Sequence, residues 1–234
     1  MRAGVTLSVV STDDIEIPWP VLGEPVFRDT DPDWEHNACV NWGVGWDGYA
    51  AGYLQAGRIL VEHVKATHAD QDLLVYPIAF VFRQYLELRL KELIAAARSL
   101  LGDEGSYPKS HDLKNLWNTC RPLLERVWSS GPKEDLDAIE SYINELSEVD
   151  PRPGTAFRYP VGPAGQPSLP SDMRRINLRH LADVIEKISS ALEGASTGVG
   201  EMLQWKWDSE QESRQIAAEM AREMREEYSD LGDC

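Results

Sequence analysis

The chain has 234 residues, 42% hydrophobic and 26% charged, which excludes a disordered composition and allows one sizeable core or two small ones. Its formal net charge of -16 and pI near 4.7 exclude a general electrostatic grip on nucleic acid, so any phosphate contact needs a local basic patch. No uncharged apolar run approaches the ~20 residues of a membrane helix, so no membrane partner is expected.

Residues 1–47 read as an irregular or extended segment. VTLSVV suits a short strand and is followed at once by Asp13, Asp14 and Glu16, unlike a secretory signal. Pro18, Pro20 and Pro25 break the next stretch and argue against a central strand. The cysteines Cys39, Cys120 and Cys234 lie far apart, with no metal-ligand spacing. No metal or cofactor is implied, and a reducing cytoplasm fits. Gly43, Gly45 and Gly48 match the dinucleotide-binding expression, but no preceding strand or βαβ context accompanies them; they read as a helix entry.

A helix is predicted from about Gly48 to His68, where Tyr49, Tyr53, Ala56, Leu60 and Val64 recur every three to four residues. The strongest helix is predicted over 73–101, ending near Gly102. Arg83, Arg89 and Lys91 lie on it with Glu87 and Glu92, and read either as a solvated salt-bridged face or as a phosphate-facing stripe. Arg83 is the best anion-binding candidate, because the turn around it, AFVFRQY, is otherwise apolar.

Ser110 is the expected N-cap of a third helix, which puts His111 in its first turn. There the helix dipole favours a neutral ring that accepts a proton; the alternative is a histidine bonded to a neighbouring loop. Leu113, Leu116, Trp117, Cys120, Leu123, Leu124 and Val127 continue this helix, with Pro122 inside it. A fourth helix follows SSGPKED, with Leu136, Ile139, Ile143 and Leu146 inward. Six prolines between Asp150 and Pro170 require a long loop. Within it Phe157, Arg158, Tyr159 and Pro160 suit a fold-back over the bundle, placing Arg158 near the candidate site.

A fifth helix is predicted to begin near Ser171 and Asp172, GASTGVG to form a flexible joint, and an acidic last helix to run from about Met202 to Tyr228. Its thin stripe of Ile216, Met220 and Met224 suits packing on the body or on a second subunit. Arg174, Arg175 and Arg179 read as surface charge or as phosphate contacts. Arg175 and His180 are five residues apart, about 140° around a helix, and share a face only if the helix begins between them. The expected fold is an all-α bundle of five or six helices, divided as 1–47, 48–193 and 194–234.

The run Leu86-Glu87-Leu88-Arg89-Leu90-Lys91, then His111 to Trp117, then Phe157 to Pro160, resembles the HEPN superfamily of bacterial helical domains over roughly residues 48–193. Many members are dimeric, metal-independent ribonucleases with an Arg, four to six residues, then His. The resemblance implies a homodimer, and RNA cleavage by 2′-hydroxyl attack in a defence or toxin–antitoxin setting. Arg175 and His180 would be the catalytic pair, with Arg83, His111 and Arg158 holding RNA or a nucleotide. Ile176 departs from the polar residue that often follows the Arg. The alternative is a non-catalytic module that binds a protein partner through the acidic tail, or a nucleotide.

Overall fold

The computed structural model describes residues 18–28, 33–40, 43–131 and 133–232, with positions 226–232 described by backbone alone. The chain divides into a unit over 1–42 and a unit over 43–234. In the first, the described residues hold one short 3-10 turn, Trp34–His36, and its side chains are exposed. The possible strand at VTLSVV and the tail cysteine Cys234 lie outside the described residues.

The second unit is all-helical, with no strand among its described residues. Helix α1 is Trp46–Thr67, α2 is Gln71–Leu101, α3 is Leu113–Val127, α4 is Glu134–Val149 and α5 is Leu178–Gly232. Gly45 is the N-cap of α1, so the glycine triplet is a helix entry. A three-residue link with His68 and Asp70 in the left-handed region folds α2 back on α1. The two helices approach closely at Gly57. A Cβ there would stand 2.3 Å from Phe82 Cε1, so only glycine leaves room for the ring.

Helix α2 is the centre of the bundle. Ile78, Phe82, Tyr85, Leu86, Leu90, Leu93 and Ile94 are wholly or almost wholly buried against residues of α1, α3 and α5. Trp117 and Cys120 of α3, Ile143 of α4 and Ile185 of α5 complete this core. Burying a large apolar side chain contributes about 1.5–3 kcal/mol, so these positions dominate the fold. A second tie joins α3 to α4, where Arg121 binds Asp137 at 2.6 Å and also meets Glu140.

Three local expectations are corrected. The N-cap of α3 is Asp112, not Ser110; its carboxylate accepts from Lys114 N and Asn115 N, while Ser110 Oγ accepts from Asp112 N. His111 therefore precedes the helix and does not sit in its first turn. Helix α5 begins at Leu178, seven residues beyond Ser171, because Asn177 Oδ1 accepts from His180 N at 3.0 Å and supplies the cap. GASTGVG is not a joint: α5 runs unbroken through it. Each glycine costs a helix about 1 kcal/mol, but packing offsets this. Val199 is fully buried, Ser196 Oγ donates to Glu92, and the Trp128 ring lies over Gly198. The last two predicted helices are thus one helix, about 80 Å long at 1.5 Å per residue.

Candidate functional site

Two regions gather the candidate residues. The first is built on α2 around Arg83 and Glu87, one turn apart and both buried. Arg83 Nε donates to Asp150 Oδ2 at 2.6 Å and Nη1 to Glu87 Oε2 at 3.1 Å, while Nη2 donates to the His111 carbonyl. Lys91 Nζ donates to Glu87 Oε1 at 2.8 Å, and His111 Nδ1 lies 2.8 Å from the same oxygen. Asp150, the C-cap of α4, also accepts from the backbone N–H groups of Gly154, Thr155 and Ala156. One buried network therefore clasps α2, the link before α3 and the start of the proline loop.

Burial alone would push the Glu87 carboxyl up. Hydrogen bonds from Lys91, His111 and Arg83 outweigh it and hold the group below the usual carboxylate range. Arg83 and Lys91 are thus neither a solvated face nor a free phosphate stripe. Arg89 follows the same rule on the other side of the helix. It is buried, with Asp47 at 2.7 Å and Glu92 at 3.2 Å, and it ties α2 to the start of α1 and to Ser196 of α5. Burial, with Glu193 adding to it, pushes the neighbouring Tyr85 phenol up to about 12.

The second region is a groove of about 370 Å³ lined by α2, α4, the loop before α5 and the first turns of α5. Phe82, Tyr142, Phe157, Met173, Ile176 and Val184 give it an apolar and aromatic lining. Its exposed basic lining residues are Arg175, His180 and Lys187. Because α5 starts at Leu178, between Arg175 and His180, the two reach one groove despite their spacing. Among the described residues, none forms an ion pair with Arg175 or Lys187 or a hydrogen bond with the His180 ring. Buried Arg83 and Asp150 also line this groove, and they line a smaller cavity of about 190 Å³ beside the start of α3.

The five candidates therefore separate. Arg175 and His180 share the groove. Arg83 borders it, but its guanidinium is occupied by Asp150, Glu87 and the His111 carbonyl. The His111 ring is on Glu87 and lines neither cavity. Arg158 is exposed and lies 5.2 Å from the ring of adjacent Tyr159; of that loop motif, Phe157 is the residue that reaches the groove.

Sequence reasoning missed Asp150 and Lys187. An acid at a helix C-terminus opposes the dipole, which signals that Asp150 has a partner elsewhere. His180, Val184 and Lys187 recur at helical spacing, and that pattern points Lys187 to the same face as His180. No family model matches the chain, and neither does any curated protein or solved structure. Among the described residues no helix is long and apolar enough to cross a membrane, and no group of three acidic, His or Cys side chains is placed to hold a metal.

Proposed function

We propose that this chain is a HEPN-like helical protein that binds RNA at the α5 groove and cleaves it without a metal. The observation that carries the reading is the arrival of Arg175 and His180 at one groove, with no competing side-chain partner among the described residues. Aromatic Phe157 and Tyr142 suit a base, and Arg175 and Lys187 suit its phosphate. A volume of about 370 Å³ falls in the ordinary range of small-ligand sites and accommodates one nucleotide unit. His180 would take the proton of the RNA 2′-hydroxyl, and Arg175 would stabilise the charge that develops on phosphorus oxygens. The net charge of -16 restricts the contact to this local patch.

Incubation of purified protein with total RNA in EDTA tests the reading. Wild type is expected to cleave, His180→Ala and Arg175→Ala to lose cleavage, and His111→Ala to retain it. A folded wild type that neither cleaves RNA nor binds a mononucleotide in the groove rules the proposal out.

A second reading, a non-catalytic interaction module, draws on the far half of α5. Lys206 Nζ still reaches the carbonyls of Ser99 and Leu100 at the end of α2, but beyond it Trp207, Ile216, Met220 and Met224 are exposed. Most helical stability in proteins comes from packing an apolar face, which favours a partner that covers this stripe. If a second copy is the cover, Met220→Glu lowers the mass seen by light scattering to that of one chain.

A further inference from the structure

We propose that His111 is a phosphoryl-acceptor histidine, with Nε2 as the reactive atom and a small acyl phosphate as the class of donor. The inference is independent of the groove and begins with the direction of one hydrogen bond. Glu87 is buried, its side chain 3% exposed, and it is held as a carboxylate by Lys91 and Arg83. A carboxylate only accepts, so the His111 nitrogen at 2.8 Å, Nδ1, carries the proton. The lone pair of the neutral ring then belongs to Nε2. The Arg83 guanidinium donates to the His111 carbonyl and fixes the backbone beneath the ring.

Packing does not account for this arrangement. The His111 side chain is 72% exposed, so it adds little to the core. Glu87 has two cationic partners, Arg83 and Lys91, in addition to its contact with His111. The carboxylate fixes the orientation of the ring. Exposure also separates this histidine from a general base working in a closed site, because the ring lines neither cavity and stays open to water. An oriented ring with a free outward nitrogen suits chemistry that a soluble donor or partner brings to it. Exposed Lys109 and Lys114 flank it in the chain and offer charge to a phosphoryl group. Asp112 would oppose that charge, but its carboxylate is engaged with Lys114 N and Asn115 N.

The step balances without a further reactant. The Nε2 lone pair forms the N–P bond as the P–O bond of an acyl phosphate breaks. The leaving carboxylate keeps the electron pair. Nδ1 keeps its proton on Glu87, so the ring becomes an imidazolium carrying a dianionic phosphoryl group, and total charge is conserved. Glu87 stabilises that cation, which is its role as a positioning residue.

The test uses the full chain and acetyl phosphate, followed by peptide mass spectrometry under alkaline conditions that preserve phosphohistidine. Five histidines compete in one molecule, which supplies an internal control. The expected result is one acid-labile phosphoryl group on His111, absent in His111→Gln and unchanged in His180→Gln. Glu87→Gln is expected to slow labelling roughly tenfold, the lower end of the cost of removing a carboxylate that orients a histidine. Wild-type competition decides the matter even if that variant does not fold. No label on His111, or label spread over His36, His63, His68 and His180 at equal rates, overturns the proposal.

Discussion

Among the described residues, the candidate arginines and histidines come together at two places, and these differ in what holds them. At Arg83 and His111 the guanidinium is shared among Asp150, Glu87 and a backbone carbonyl, and only the outer ring nitrogen is open. At Arg175 and His180 the side chains line an apolar groove, free of ion pairs with described residues. The first arrangement is a clasp and the second is a receptor. Charges buried beside carboxylates are committed to the fold; exposed charges beside an apolar cavity remain available to a ligand.

The largest effect that would sharpen this contrast is on stability. Arg83→Ala leaves buried Asp150 without its cation and takes one of two cations from Glu87, and breaking a buried pair in this way costs about 3–5 kcal/mol. Arg175→Ala removes an exposed charge and is expected to stay within about 0.5 kcal/mol of wild type. Urea unfolding of both variants measures the gap; equal midpoints would erase the distinction between clasp and receptor. Between these lies Gly57→Ala, where the new methyl meets the Phe82 ring and overpacking costs about 1–3 kcal/mol.

Binding should follow the opposite order. If RNA binds as proposed, with Arg175 and Lys187 each facing one backbone phosphate of a single strand, the expected salt slope is about -1.4 in log K against log salt. Arg175→Ala should reduce that slope by about 0.7, and Arg83→Lys should leave it unchanged. A steep slope in the Arg175 variant would move the RNA elsewhere.

The acid limb of stability probes the clasp more gently. The folded Glu87 carboxyl lies below its ordinary value of 4.5, so its contribution is present above that pH and disappears as pH falls through the folded value. The difference in urea midpoint between wild type and Glu87→Gln should therefore shrink below about pH 4.5. A difference constant with pH would mean that Glu87 is not the titrating group. The smallest effect is chemical: Cys39 is exposed and reacts with a thiol reagent in the native state. Burial pushes the Cys120 thiol up to about 12 and keeps it silent until unfolding.

Periodicity made the helices legible. The predicted span 73–101 corresponds to α2 at Gln71–Leu101, and the inward residues of α3 and α4 are those that pack. Helix ends were less legible where several caps competed. Ser110 and Asp112 are both good caps, and Ser171, Asp172 and Asn177 all suit the start of α5; local sequence does not rank them. The choice of Asn177 decides whether Arg175 and His180 share a groove. The glycines of GASTGVG misled for a related reason, since their flexibility is visible in sequence and the Trp128 ring above Gly198 is not.

The sequence by itself determined the all-α class, the apolar faces of its helices and the local Glu87–Lys91 pair, because these depend on residues within a turn or two of one another. Tertiary structure decided the use of the charges. Asp150 is 67 positions from Arg83, and His111 is 24 from Glu87. Whether a cation is buried, paired or free depends on which carboxylate the fold brings to it, and Coulomb attraction acts on distance in space, not along the chain.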